Sequence, residues 1–162
     1  ISLLPRYPEW TAAIFGRTTA QYNGFTEELK VKIEAAGLSD RIVFMGEVPD
    51  VKPWIRRVTL CVAPSRNEGF GLTPLEAMAS ETAVVASDAG AYRDLVEVGI
   101  TGEVVPAGDG EALRASIESY LANPGLAKSH GTAGLERARS RFGLAGEAKA
   151  LGQVYEELWT QP

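Results

Sequence analysis

The chain is expected to fold as an α/β protein built on a parallel sheet with helical crossovers. Two observations lead there: short apolar runs recur along the chain, each closed by a glycine, proline or serine, and segments with apolar residues at helical spacing separate them. Alternating strands and helices pair most readily in parallel, with each helix as the return crossover. Strands are placed at Thr11–Phe15, Arg41–Met45, Thr59–Ala63, Ala83–Ala86 and Glu103–Val105. Phe25, Leu29, Ile33 and Ala36 mark a helix that breaks at Gly37, and Leu113, Ile117, Tyr120 and Leu121 mark another after Gly110. A last apolar stripe runs through Ala148, Leu151, Val154, Tyr155 and Leu158. No repeat, low-complexity tract or linker interrupts the pattern, so residues 1–162 are expected to form a single domain.

Composition narrows the class. Hydrophobic residues make up 45% of 162 residues, an ordinary share for a chain that buries one core. The net charge of −5 argues against a nucleic-acid surface, which is normally basic. The lone cysteine, Cys61, lies in an apolar strand and is expected to be a buried thiol, which fits a reducing compartment. No apolar run approaches the roughly 20 residues of a spanning helix and no signal peptide is visible, so a cytoplasmic place is expected. His130, the one histidine, has neither a ligand set nor a nucleophile beside it and is expected to be a satisfied surface residue.

The densest chemistry lies in Pro64-Ser65-Arg66-Asn67-Glu68-Gly69-Phe70-Gly71-Leu72-Thr73-Pro74-Leu75-Glu76-Ala77-Met78-Ala79. Pro64 ends a strand, and a helix should begin near Thr73, a good N-cap, with Pro74 at the first helical position. Gly69 and Gly71 permit positive φ angles and a close backbone approach to a ligand. Free amides in such a turn, with a helix dipole behind them, favour a phosphate or a developing negative charge. The two glutamates allow a plainer account. Thr73-Pro74-Leu75-Glu76 also spells a capping box, so spacing leaves Glu76 either a cap or a ligand. Glu68 is either a solvated acid or part of a site.

The run Ser65–Ala79, followed by Thr82–Ala91 and Gly102–Asp109, resembles the C-terminal lobe of retaining glycosyltransferases of the GT-B fold, family 4. The likeness extends from Thr11 to about Leu158, and the glutamate pair with seven residues between is that family's hallmark. Closer wording at Gly16-Arg17-Thr18-Thr19-Ala20, Gly46–Asp50 and Arg66–Pro74 is similar to the lipopolysaccharide core mannosyltransferases of α-proteobacteria. The resemblance implies a Rossmann-like parallel sheet with helices on both faces. By position it implies that Glu68, the catalytic candidate, contacts the transferred sugar and that Glu76 contacts the ribose of the nucleotide. The amides of Gly69, Phe70, Gly71, Leu72 and Thr73 would face the diphosphate and sugar.

In parallel sheets ligands collect beyond the carboxyl ends of the strands. The turn Gly16-Arg17 follows the first strand; Arg17 either approaches a phosphate or is an ordinary surface arginine, and the second glycine that many relatives carry there is missing. Gly46–Asp50 matches the place where relatives clasp the nucleotide base, with Val48 packing on it and Lys52 nearby. The alternative is a strand-to-helix turn with Lys52, Arg56 and Arg57 on a solvated face.

The activity implied by the resemblance is transfer of a hexose, with retention, from a nucleotide diphosphate sugar to a lipopolysaccharide core or related glycan or lipid-linked acceptor. GDP-mannose is the favoured donor and a UDP-sugar the alternative. No cofactor beyond the donor is implied, and no metal, since aspartates separated by one residue do not occur. Ile1-Ser2-Leu3-Leu4-Pro5 lacks an initiator methionine and reads as a helix end entering a loop. The chain is therefore expected to be truncated at its N-terminus, without a first strand, a basic phosphate loop and the acceptor lobe. On that expectation the fragment alone is a nucleotide-binding module without turnover. A peripheral place for the parent at the inner face of the bacterial inner membrane is compatible with these features.

Overall fold

A computed structural model describes residues 1–17 and 23–159; Thr18, Thr19 and Ala20 of the Gly16–Ala20 motif lie outside the described residues. Every predicted strand forms to within one residue of its expected bounds: β1 (Ala12–Phe15), β2 (Ile42–Gly46), β3 (Leu60–Ala63), β4 (Ala83–Ser87) and β5 (Gly102–Val105). The helices are α1 (Asn23–Ala35), α2 (Lys52–Ile55), α3 (Thr73–Ala79), α4 (Tyr92–Leu95), α5 (Gly110–Ala122), α6 (Pro124–Phe142) and α7 (Leu144–Trp159). All strand pairs are parallel, in a two-stranded sheet β1–β2 and a three-stranded sheet β3–β4–β5. The chain divides into two compact units, Ile1–Val51 and Lys52–Pro162.

In the first unit α1 packs on β2 through Leu29 and Ile33, while β1 stays largely exposed. Leu4, Ile33, Leu38 and Ile42 form the unit's core, with Trp10, Leu29 and Phe44 packed around them. The helical stripe is narrower than predicted, because Phe25 stays 66% exposed and only Leu29 and Ile33 reach the core. Arg41 ties the N-terminal segment to the start of β2, donating to the carbonyls of Leu4 (3.0 Å), Tyr7 (2.6 Å) and Trp10 (2.6 and 3.1 Å).

In the second unit β4 is the central strand, and all five of its residues are buried. That is the pattern of a parallel strand covered by helices on both faces. Ala83 and Val85 pack with Tyr120 and Ala127, joined by Leu60, Leu113, Ile117 and Leu126. The alternating residues Val84 and Ala86 point to the opposite face and are equally buried. Helix α6 carries no apolar stripe in the sequence, because its buried face is built mainly from small residues, Ala127, Gly131, Gly134 and Ala138. Gly131 and Gly134 let it lie directly on the loop at Glu81 and on Met78. His130 is the correction here: it is 5% exposed instead of lying at the surface, and its Nδ1 shares a 2.8 Å hydrogen bond with the Tyr120 hydroxyl. Helix α7 leaves its apolar stripe, including Leu151, Val154, Tyr155 and Leu158, exposed.

Candidate functional site

The carboxyl ends of β3 and β4 bring two turns together, Pro64–Leu72 and Asp88–Ala91. Each depends on a glycine in the left-handed region, where a side chain would be strained: φ is +72° at Gly71 and +54° at Gly90. Space is the second reason for these glycines. A Cβ on Gly90 would collide with the carbonyl oxygen of Gly69 and lie 2.8 Å from that of Glu68. A Cβ on Gly71 would collide with the Tyr92 ring and lie 2.5 Å from Glu68 Cγ. The loop carrying the first glutamate is thus cast against the start of α4.

Glu68 is exposed but not loose. Its Oε2 accepts from the Tyr92 hydroxyl (3.2 Å) and the Ser65 hydroxyl (3.3 Å), and its Oε1 accepts from the Gly69 amide (3.2 Å). Of the amides predicted to face an anion, Gly69 is therefore turned to its neighbour's carboxylate. Among the described residues the amides of Phe70, Gly71, Leu72 and Thr73 find no acceptor. The turn that carries them is mostly exposed, and successive unengaged amides are the kind of donor set that can bind an anion.

The capping box does not form. Thr73 is the first residue of α3, and Leu72 before it provides no side-chain cap. The Glu76 amide donates to the Leu72 carbonyl (2.8 Å), while the half-buried Glu76 side chain makes no cap bond. A cap role is thus removed for Glu76. Its charge is felt by Cys61, whose thiol is pushed up to about 11, first by burial and second by Glu76. Because α3 is only seven residues long, its dipole adds less at this end than the sequence reading expects.

Asp88, in the second of these turns, forms an ion pair with Arg93, Oδ2 to Nε at 2.7 Å. The sequence reading missed Tyr92, Ser65 and Gly90 as supports of Glu68. The available signal was an aromatic two positions after a glycine, just past a buried strand.

In the first unit the turns after β1 and β2 meet. Gly16 (φ +128°) donates to the carbonyl of Gly46 (φ +66°) at 2.8 Å, beside a register shift between Ile14 and Phe15. Arg17 faces Glu47 across 3.9 Å with both side chains open to solvent, an exposed pair of small energetic weight. Val48 is half-buried; Lys52, exposed, opens α2 in the second unit. Among the described residues no cluster of three or more metal-ligating side chains occurs, and no helix is long and apolar enough to cross a membrane.

Comparison with known proteins places this geometry in a family. Residues 2–123 match the family model for glycosyl transferases group 1. The chain is 61% identical over 158 residues to a lipopolysaccharide core biosynthesis mannosyltransferase, LpcC, of Rhizobium leguminosarum bv. viciae, an alignment covering 98% of this chain and 45% of that protein. It spans about half the length of the curated relatives it matches. Among solved structures, the C-terminal domain of a glycosyl transferase group 1 family protein (LpcC) from Francisella tularensis superposes with a TM-score of 0.83 at 30% identity, over 88% of this chain and 75% of that one. Anabaena Alr3699/HepE in complex with UDP and glucose gives a TM-score of 0.81 at 25% identity, over 99% of this chain and 43% of the other. With its parallel sheets, flanking helices and glutamate-bearing glycine turn, the chain belongs to the glycosyl transferases group 1 family.

Proposed function

We propose that this chain is the donor-binding part of a retaining glycosyltransferase that moves a hexose from a nucleotide diphosphate sugar to a hydroxyl. The observation that carries this reading is the turn Glu68–Thr73, with its run of unengaged amides, set between a glutamate held in place and a glutamate freed from capping. Glu68 positions the sugar hydroxyls, and Glu76 binds the ribose. The amides of Phe70, Gly71, Leu72 and Thr73 oppose the charge that grows on the diphosphate as its bond to the anomeric carbon stretches. Preorganised donors of this kind act most strongly on charge that develops in the transition state, and losing one typically costs about 3 kcal/mol. Glu68 is assigned no nucleophilic role.

GDP-mannose is the donor and a lipopolysaccharide core glycan the acceptor in this reading; the name of the Rhizobium relative supports the mannosyl group and the lipopolysaccharide core. The Anabaena complex with UDP and glucose supports the broader class of donor and makes a UDP-sugar the competing choice. In the first unit Gly16 and Arg17 are assigned to phosphate and Val48 to the base; Lys52 is assigned beside the base.

Calorimetric titration with GDP, UDP, ADP and their mannose or glucose conjugates tests this. Selective GDP and GDP-mannose binding that falls at least tenfold in Glu76→Ala, about the effect of one hydrogen bond to a charged group, is expected. Unchanged affinity in the variant, or no nucleotide binding at all, would count against the assignment.

A further inference from the structure

We propose that Tyr92 is a positioning residue of the donor site, acting through Glu68, with Ser65 as its partner. The inference rests on the reading of Glu68 as the sugar contact. An exposed glutamate on a loop samples many rotamers, and ordering one costs about 1–2 kcal/mol. Here that ordering precedes any ligand. Tyr92 and Ser65 both donate to Oε2 and the Gly69 amide donates to Oε1, at 3.2–3.3 Å. An ionised carboxylate offers about four lone-pair sites, so three are taken and about one remains to meet a sugar hydroxyl from a set direction.

Tyr92 is suited to this by its place in the fold. It is 1% exposed, and it opens α4 directly after the turn that packs on the Glu68 loop. Its ring fills the space under Gly71, so the same side chain is the floor of the glycine turn and the donor to the carboxylate. The far end of α4 is held as well. Arg137 of α6 donates to the carbonyls of Asp94 (2.9 Å) and Leu95 (2.8 Å) and pairs with Glu97 (3.0 Å). Burial, ahead of the Glu68 charge, raises the Tyr92 phenol, which therefore keeps its proton as a donor. A phenylalanine would fill nearly the same volume against the turn. Only the hydroxyl requires the glutamate.

The test compares how tightly the full chain binds GDP and GDP-mannose, and UDP and UDP-glucose, in the native protein, Tyr92→Phe, Ser65→Ala, Glu68→Ala and the Tyr92→Phe/Glu68→Ala double variant. Tyr92→Phe keeps the ring and removes one hydroxyl. It should lower affinity for the sugar nucleotide by about fivefold relative to the free diphosphate, the size of one net hydrogen bond. Ser65→Ala should act in the same direction, and Tyr92→Phe should add nothing once Glu68 is alanine, which leaves the hydroxyl no acceptor there. Equal losses for diphosphate and sugar nucleotide, no loss, or additive losses in the double variant would overturn the positioning role and leave the donor-site reading standing. Should the native chain bind neither nucleotide pair, the reading and this inference fall together.

Discussion

Tyr120 and His130 meet inside the second unit, phenol oxygen to Nδ1 at 2.8 Å, with the rings edge-on and their centroids 5.6 Å apart. Both side chains are buried, at 0% and 5% exposure, so each polar atom depends on the other for its hydrogen bond. Burial first, and the charge of Glu103 second, raise the Tyr120 phenol and keep it protonated. Tyr120→Phe leaves an imidazole nitrogen unpartnered in the interior and should cost about 1–3 kcal/mol in urea unfolding. An unchanged midpoint would show that the pair contributes nothing beyond its packing.

Gly131 sets how closely α6 approaches the strand that carries the core. A methyl group there would run into the carbonyl oxygen of Glu81 and lie 3.4 Å from the Ala83 amide nitrogen, both backbone atoms. Gly131→Ala should destabilise by about 1–3 kcal/mol, because backbone has to shift. Gly134→Ala meets mainly the flexible Met78 side chain, at 3.1 Å, and should cost less. Comparing the two thermal midpoints checks the order, and a larger loss at Gly134 would contradict it.

Arg41 closes the first unit by binding three carbonyls of the N-terminal segment. Arg41→Met keeps much of the aliphatic stem and removes every one of these donors. Losing them should cost about 2 kcal/mol or more and release the segment before β1. Tryptic cleavage after Arg6 is the readout: it should accelerate in the variant, and an unchanged rate would mean that the apolar packing of Leu3, Leu4 and Trp10 secures the segment.

Cys61 should make stability fall at alkaline pH. Its folded value is raised to about 11 from an ordinary value of 9.0. Between those values the unfolded thiol has lost its proton while the folded one keeps it, so unfolding releases a proton and stability declines as pH rises. The stabilisation is fully present below the unfolded value and lost on passing the folded one. The slope from this group is at most about 1.4 kcal/mol per pH unit. Thermal midpoints from pH 8 to 11, in roughly one-unit steps, should therefore drop less in Cys61→Ala than in the native chain. Parallel curves would assign the decline to other groups.

Much of the site was legible because local chemistry dictates it. Pro64 ends a strand, Pro74 starts a helix, and Gly71 occupies a backbone region that other residues avoid. Those constraints act within a few residues, so they survive in one dimension. From spacing alone, Glu68 and Glu76 were each legible only as a pair of alternatives. Spacing permits a capping box, yet Leu72 with helical backbone angles precedes α3 and the cap bond is not made. His130 was misplaced because a polar helix with small residues hides its contact face from any count of apolar positions.

What the sequence by itself determined is the order and bounds of the strands, the parallel pairing and the glycine turn between β3 and α3, since period, breakers and φ preference are properties of short segments. Only the tertiary structure decided that Tyr92, 24 positions beyond Glu68, holds its carboxylate. It also decided that His130 is interior and that Arg41 binds the chain's start. Each of these depends on two segments distant in sequence being brought within hydrogen-bond reach, and no local pattern encodes that distance.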